Sequence, residues 1–175
     1  MIKVTNVFFI FLVIFFFQNI VAKGLSGSSA GVKSGFSLFH NYEGYSRPGF
    51  NVQFSYDPYL DYSINIDTAV FVHYAQDGLN NLIYPGVSFG TRYNVNIYPV
   101  TKLFIGSGLN FIAGVEYSTK EDKADAFFTP GFYLKLGSIF LTGRALSLGL
   151  EAEYIWSMAH LDHLFSINFR MDLLL

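Results

Sequence analysis

The sequence predicts an all-β protein, an eight-stranded antiparallel up-and-down transmembrane β-barrel with an N-terminal signal peptide. Three observations carry that expectation. Apolar residues recur at every second position along nearly the whole chain after residue 30, and successive strand side chains point to opposite faces. No apolar run after residue 22 approaches the ~18 residues that a spanning helix needs. The polar faces hold small residues and charges of both signs, a composition that suits a crowded interior better than a soluble surface.

Composition sets the outer limits. The chain has 175 residues, 51% hydrophobic, 19% aromatic and 14% charged, against about 25% charged in average globular proteins. Mean hydropathy is +0.35. Disorder requires the opposite balance. Cysteine is absent, which excludes disulfides and thiolate metal sites. With 11 basic and 13 acidic residues the net charge is −2, and no nucleic-acid partner is expected. The length suits one domain.

Residues 1–22 read as the signal peptide. Lys3 gives the positive start, residues 7–17 (VFFIFLVIFFF) form an apolar core of 11 residues, and Ala22 is a small residue suited to cleavage. Such a core is too short to cross a bilayer comfortably, since a spanning helix wants about 20 residues. Residues 23–30 (KGLSGSSA) read as a flexible lead-in and residues 31–175 as the barrel domain.

Eight alternating segments follow. In 32–42, Val32, Phe36, Leu38 and Tyr42 oppose Lys33, Gly35, Ser37 and Asn41; in 50–57, Phe50, Val52, Phe54 and Tyr56 oppose Asn51, Gln53, Ser55 and Asp57. The third segment, 62–74, sets Tyr62, Ile64, Ile66, Val70, Val72 and Tyr74 against Ser63, Asn65, Asp67 and His73. Segments 82–98 and 102–117 are the clearest, with Arg92, Lys102 and Glu116 among the small polar residues, and 99–101 joins them as a tight hairpin. Segment 127–137 carries Lys135 on its polar face, 145–156 carries Glu151 and Glu153, and 163–173 carries Arg170 and Asp172.

An even number of antiparallel strands can close and remove its edges. Eight strands leave an interior that side chains fill. The charged face is therefore placed inside, as a lumen network of Lys33, Asp67, Arg92, Lys102, Glu116, Lys135, Glu151, Glu153, Arg170 and Asp172 whose opposite charges pair. The bulky apolar face meets lipid. Tyr42, Tyr56, Tyr62, Tyr74, Tyr117, Tyr154 and Trp156 fall toward strand ends, where amphipathic rings favour the headgroup level, and read as a lipid-interface girdle.

On this architecture residues 31–175 resemble the small eight-stranded outer-membrane barrels of the OmpX, OmpW and OmpA-barrel type. The wording, rich in Phe, Ile, Asn and Tyr, is also similar to small barrels of AT-rich spirochaetes, some of which bind host proteins. The resemblance implies export to a bacterial outer membrane, insertion by the barrel-assembly machinery, contact with outer-membrane lipid, and host surface proteins as partners. The ending Ile167, Phe169, Met171, Leu173, Leu175 looks like the strand signal that machinery reads, but closes on leucine where the family has an aromatic residue. With the N-terminus in the periplasm, the outer loops are 43–49, 75–81, 118–125 and 157–162, and the inner turns 57–61, 99–101 and 138–144.

No catalytic, metal or cofactor motif is recognised. The nearest approach to one is Ser157, His160, Asp162 and His163 in the last outer loop, whose residue types match a nucleophile, a base and an orienting carboxylate. The leading functional expectation is a non-enzymatic envelope protein with a structural or adhesin-like role through its outer loops. The alternatives are a lipid A deacylase-like enzyme using the Ser/His/Asp cluster and a narrow, porin-like pore.

Overall fold

The structure, a computed structural model, describes residues 28–40, 45–60, 63–77, 80–98, 101–118, 123–141, 145–158 and 163–175. The signal-peptide expectation (1–22), Tyr42 and Tyr62 of the girdle, and His160 and Asp162 of the last loop lie outside these residues.

Eight strands follow one another: β1 Ser28–His40, β2 Ser46–Pro58, β3 Ile64–Asp77, β4 Asn80–Tyr98, β5 Thr101–Ser118, β6 Lys123–Leu141, β7 Leu146–Ser157 and β8 His163–Leu174. Each pairs antiparallel with its chain neighbour, and β8 returns to pair with β1 from Ser29↔Leu174 to His40↔His163, closing the barrel. One end carries both described chain ends and the connections after β2, β4 and β6; we call it the terminal end. The loop end carries the connections after β1, β3, β5 and β7.

Register fixes the shape. Following partners across every strand from Ala30 leads through Tyr56, Thr68, Phe89, Leu109, Phe132, Trp156 and His163 back to His40 of β1, ten residues further on. With ~3.3 Å rise per residue and ~4.8 Å between strands, that stagger tilts the strands about 40° from the axis. A 12-residue strand such as β8 then rises about 30 Å, the thickness of a bilayer core.

The two faces separate as alternation requires. Val32, Phe36, Phe54, Ile105, Leu134, Leu136, Ile167 and Phe169 stand exposed on the outside, Phe36 at 82%. Lys33, Gln53, Asp57, Asp67, Arg92, Lys135, Glu151, Glu153 and Arg170 are buried on the inside. A belt of that apolar content would be costly in water and suits a lipid surround.

The strands are longer than the alternation suggested, at the expense of the lead-in and the connections. Ser28, Ser29 and Ala30 belong to β1, since Ser29 pairs with both Asp57 and Leu174. Turn 138–144 contracts because Ser138 pairs with Leu103 on one side and Leu150 on the other, and Leu141 still pairs with Ser147. Asp57 and Pro58 remain in β2 and Thr101 begins β5. Residues 46–49, 75–77, 80–81, 123–125 and 157, expected in outer loops, are all strand. Ladder bonds satisfy backbone groups that a loop would leave to water.

Candidate functional site: the filled lumen

Inward side chains from all eight strands meet in the lumen, and those of the terminal half are ionic. Arg170 of β8 is the hub. Its Nε donates to Asp172 Oδ2 at 2.8 Å and its Nη2 to Asp172 Oδ1 at 2.9 Å. Nη1 reaches Glu151 Oε2 at 3.0 Å and Nη2 reaches Asp57 Oδ2 at 3.1 Å. Lys33 adds to Glu151 at 2.9 Å, and Arg92 adds to Asp57 at 2.8 Å. The guanidinium carbons of Arg92 and Arg170 each lie 5.2 Å from the centre of the Phe104 ring, a cation–π distance.

A second cluster adjoins the first. Lys135 Nζ lies 2.6 Å from Asp67 Oδ2 and 3.8 Å from Glu153 Oε1. Tyr133 donates its hydroxyl proton to Asp67 Oδ2 at 2.8 Å, and Gln53 Nε2 donates to Glu153 Oε2 at 2.6 Å. These groups are fully buried or nearly so. Burial on this scale is tolerable because each of these charges has an opposite charge beside it.

Two residues expected in the network sit elsewhere. Lys102 is half-buried at the terminal mouth, where with Arg92, Asn94 and Asp172 it lines a pocket; it makes no ion pair among the described residues. Glu116 lies at the loop-end rim in a part-exposed pair with Arg47 at 3.3 Å. Asp57, on the polar face of its segment, is a central anion that joins two arginines.

The loop half of the lumen corrects the expectation of a wholly polar interior. Phe39, Phe71, Ala75, Leu82, Tyr84, Ile112, Tyr133, Ile155 and Leu164 form a buried apolar cluster, with Phe127 packed against it. Two glycines make room for its rings. A Cβ on Gly86 would stand 2.5 Å from Phe71 Cζ, and one on Gly114 would stand 2.1 Å from Phe127 Cζ, neither a tolerable contact. His73 is buried beside this cluster, 6.2 Å from Phe39 and 5.1 Å from Phe71 by ring centres. Its Nδ1 lies 3.0 Å from Ser37 Oγ, which accepts a hydrogen bond from Asn51 Nδ2 at 3.0 Å. This Ser–His contact was not foreseen from sequence, and both side chains are sealed from substrate.

Of the four residues of the proposed catalytic group the structure describes Ser157 and His163, and it does not bring those two together. Ser157 is buried on the inner face, its Oγ 2.8 Å from Thr129 Oγ1. His163 is on the outer face, its Nδ1 bonded to the Tyr154 hydroxyl and its ring stacked on that of Tyr154 at 5.6 Å. The barrel wall separates the two, because neighbouring positions on a strand alternate between faces, and a base must reach its nucleophile within hydrogen-bond distance. Among the described residues no three His, Asp or Glu converge as metal ligands.

The described girdle aromatics all face outward. Trp156 stacks on Phe132 at 6.1 Å, and Tyr74 packs on Phe50 at 5.2 Å while donating to Asn81 Oδ1 at 2.9 Å. Tyr74, Tyr117 and Trp156 lie near the loop ends of their strands; Tyr56 lies near the terminal end, and Tyr154 is two residues deeper than Trp156.

This closed barrel has the fold of the small eight-stranded outer-membrane barrels. Neisserial surface protein A aligns with a TM-score of 0.70 at 9% identity, covering 85% of this chain and 98% of that one. Ail, the attachment invasion locus protein of Yersinia pestis, aligns at 0.61 with 11% identity, covering 86% and 99%. The outer-membrane enzyme PagL aligns at 0.51 with 13% identity, covering 84% and 98%. No family model matches the chain. No curated protein matches it by sequence. A surface protein, an attachment protein and an enzyme share this fold, so function has to be argued from the site.

Proposed function

We propose that the chain is a non-enzymatic integral protein of a bacterial outer membrane, a closed scaffold that presents its loop end to the surroundings in a structural or surface-interaction role. The observation that carries this reading is the filling of the lumen. Among the described residues, ion pairs occupy its terminal half and an apolar cluster its loop half, a filling that favours a scaffold over an aqueous path or a reaction chamber. What such a barrel offers other molecules is its exterior and its ends.

A Ser157–His163 pair is not open to the enzyme alternative, because the two stand on opposite faces of the wall; His160 and Asp162 lie outside the described residues. The pore alternative would require both halves of the lumen to move. In this role outer-membrane lipid contacts the apolar belt, the barrel-assembly machinery inserts the chain, and host surface proteins are the partners at the loop end. The strands' gain at the loops' expense concentrates recognition on the strand tips and the short connections between them. The test exchanges each loop-end connection for a glycine–serine turn and measures adhesion of cells displaying the protein to host-protein-coated surfaces. Loss of adhesion with one or more exchanges is expected; adhesion unchanged throughout would reject the surface role.

A further inference from the structure

Two histidines meet on the outer wall where the barrel closes. At the loop end of the seam, His40 of β1 stands directly opposite His163 of β8. The same rung runs on to Ser46 of β2 on one side and to Trp156 of β7 on the other. His40, Ser46 and Trp156 are exposed and His163 is partly so. His40 shares its parity with the lipid-facing Phe36 and Leu38, and His163 with Phe165 and Ile167. Trp156 belongs to the girdle, which puts the rung at the headgroup level, where water and ions reach it.

The two imidazoles are arranged for a shared ligand. Their ring centres are 6.3 Å apart, with planes inclined by 28°. Nδ1 of His40 lies 3.0 Å from Ser46 Oγ, and Nδ1 of His163 is hydrogen-bonded to the Tyr154 hydroxyl. Either hydroxyl oxygen can accept the Nδ1 proton, which leaves the Nε2 lone pair of each ring free. Neither Nε2 has a hydrogen-bond partner among the described residues. An imidazole whose second nitrogen is held by an oxygen is the arrangement of a metal-ligating histidine. With metal–nitrogen distances of ~2.1 Å, two rings on one tetrahedral ion have centres roughly 5 Å apart. A turn of the exposed His40 side chain by about 1 Å closes that gap. No carboxylate stands on the rung, which disfavours calcium and magnesium.

We propose that His40 and His163 form a two-histidine site for a transition-metal ion of the Cu²⁺ or Zn²⁺ class, bound through both Nε2 atoms, with water in the remaining positions. Ser46 and Tyr154 are positioning residues that orient the rings. The ion ties the first strand of the barrel to the last. Its two ligands adjoin only while the β1–β8 seam is shut, so it binds the folded barrel in preference to the unfolded chain and stabilises it. Cu²⁺ binds more tightly than Zn²⁺. The site does not depend on the surface role above, and neither outcome below bears on that role.

The test uses the full chain, without a histidine tag, folded in detergent micelles, and the metal alone as probe. Trp156 is the single tryptophan of the sequence and stands across from His163. Cu²⁺ in the site should therefore quench tryptophan fluorescence, saturating at one ion per chain, and its electron spin resonance spectrum should show two nitrogen ligands. Ca²⁺ should do neither. His40→Gln and His163→Gln should each weaken Cu²⁺ binding about tenfold or more, since the second imidazole of a chelate acts at high effective concentration, and should reduce the nitrogen ligands to one. Tyr154→Phe should weaken binding about tenfold while both nitrogens stay bound, the signature of a positioning residue. Zn²⁺ should raise the urea midpoint of the native barrel and leave that of His40→Gln where it was. These side chains stand on the outer face, and the heat-dependent gel shift confirms that each variant has folded. Native protein without saturable quenching overturns the proposal before any variant is made. So does affinity unchanged by His40→Gln, or a spectrum that keeps two nitrogens in that variant.

Discussion

In the terminal half of the barrel the inward positions hold Lys33, Asp57, Asp67, Arg92, Lys135, Glu151 and Arg170; in the loop half the same parity holds Phe39, Phe71, Leu82, Ile112, Ile155 and Leu164. Both halves are filled by side chains, by opposite means. The ionic half depends on directional pairing, since each charge there is tolerable only while its partners stay in place. The apolar half depends on shape, with glycines opposite rings and no hydrogen bond to lose at most positions. The difference teaches that one narrow interior can be filled by two chemistries, with different sensitivities to mutation.

The largest effect is expected at the ionic hub. Arg170→Met leaves Asp57, Glu151 and Asp172 each short of a partner in a buried site, at a cost of about 3–5 kcal/mol. Urea titration of the barrel folded into lipid vesicles reads it directly. Phe71→Ala in the apolar half removes a buried ring without stranding a charge, and should cost about 3 kcal/mol by the same titration.

A double substitution separates the halves more sharply. Lys135→Met alone strands Asp67 and Glu153 and should cost about 3 kcal/mol. Adding Asp67→Leu should recover part of that loss, because the nearer of the two stranded carboxylates is removed while Glu153 remains. No apolar pair in the loop half should show such recovery; paired truncations there should cost at least as much as either alone. The smallest effect belongs to the rim. Arg47 and Glu116 are 22% and 40% exposed, so Glu116→Gln should change stability by less than about 1 kcal/mol.

The architecture was legible in the sequence because period-two alternation has one structural meaning over so many segments. Strand ends were less so: Ser138 to Leu141 includes Ile139, Phe140 and Leu141 in a row, which obscures the alternation that both ladders show. The apolar cluster was hidden for the same reason. At 70–72, 82–84, 111–113 and 154–156, apolar residues occupy both faces together, so the inward Phe71, Ile112 and Ile155 merge with the lipid-facing residues beside them. The available signal was positional. These lapses of alternation recur on the loop side of charged residues, as in Asp67 before Phe71 and Glu151 before Ile155. Ser157 and His163 failed as a pair because residue types in a short connection carry no information on which face each takes.

Single-channel recording of the full chain in a planar bilayer tests the closed lumen most directly. Two independent seals predict a flat trace for the native protein. Truncating Phe71, Leu82 and Leu164 together should still leave it flat, because the layer around Arg170 remains. Steady conductance through the native barrel would contradict the account.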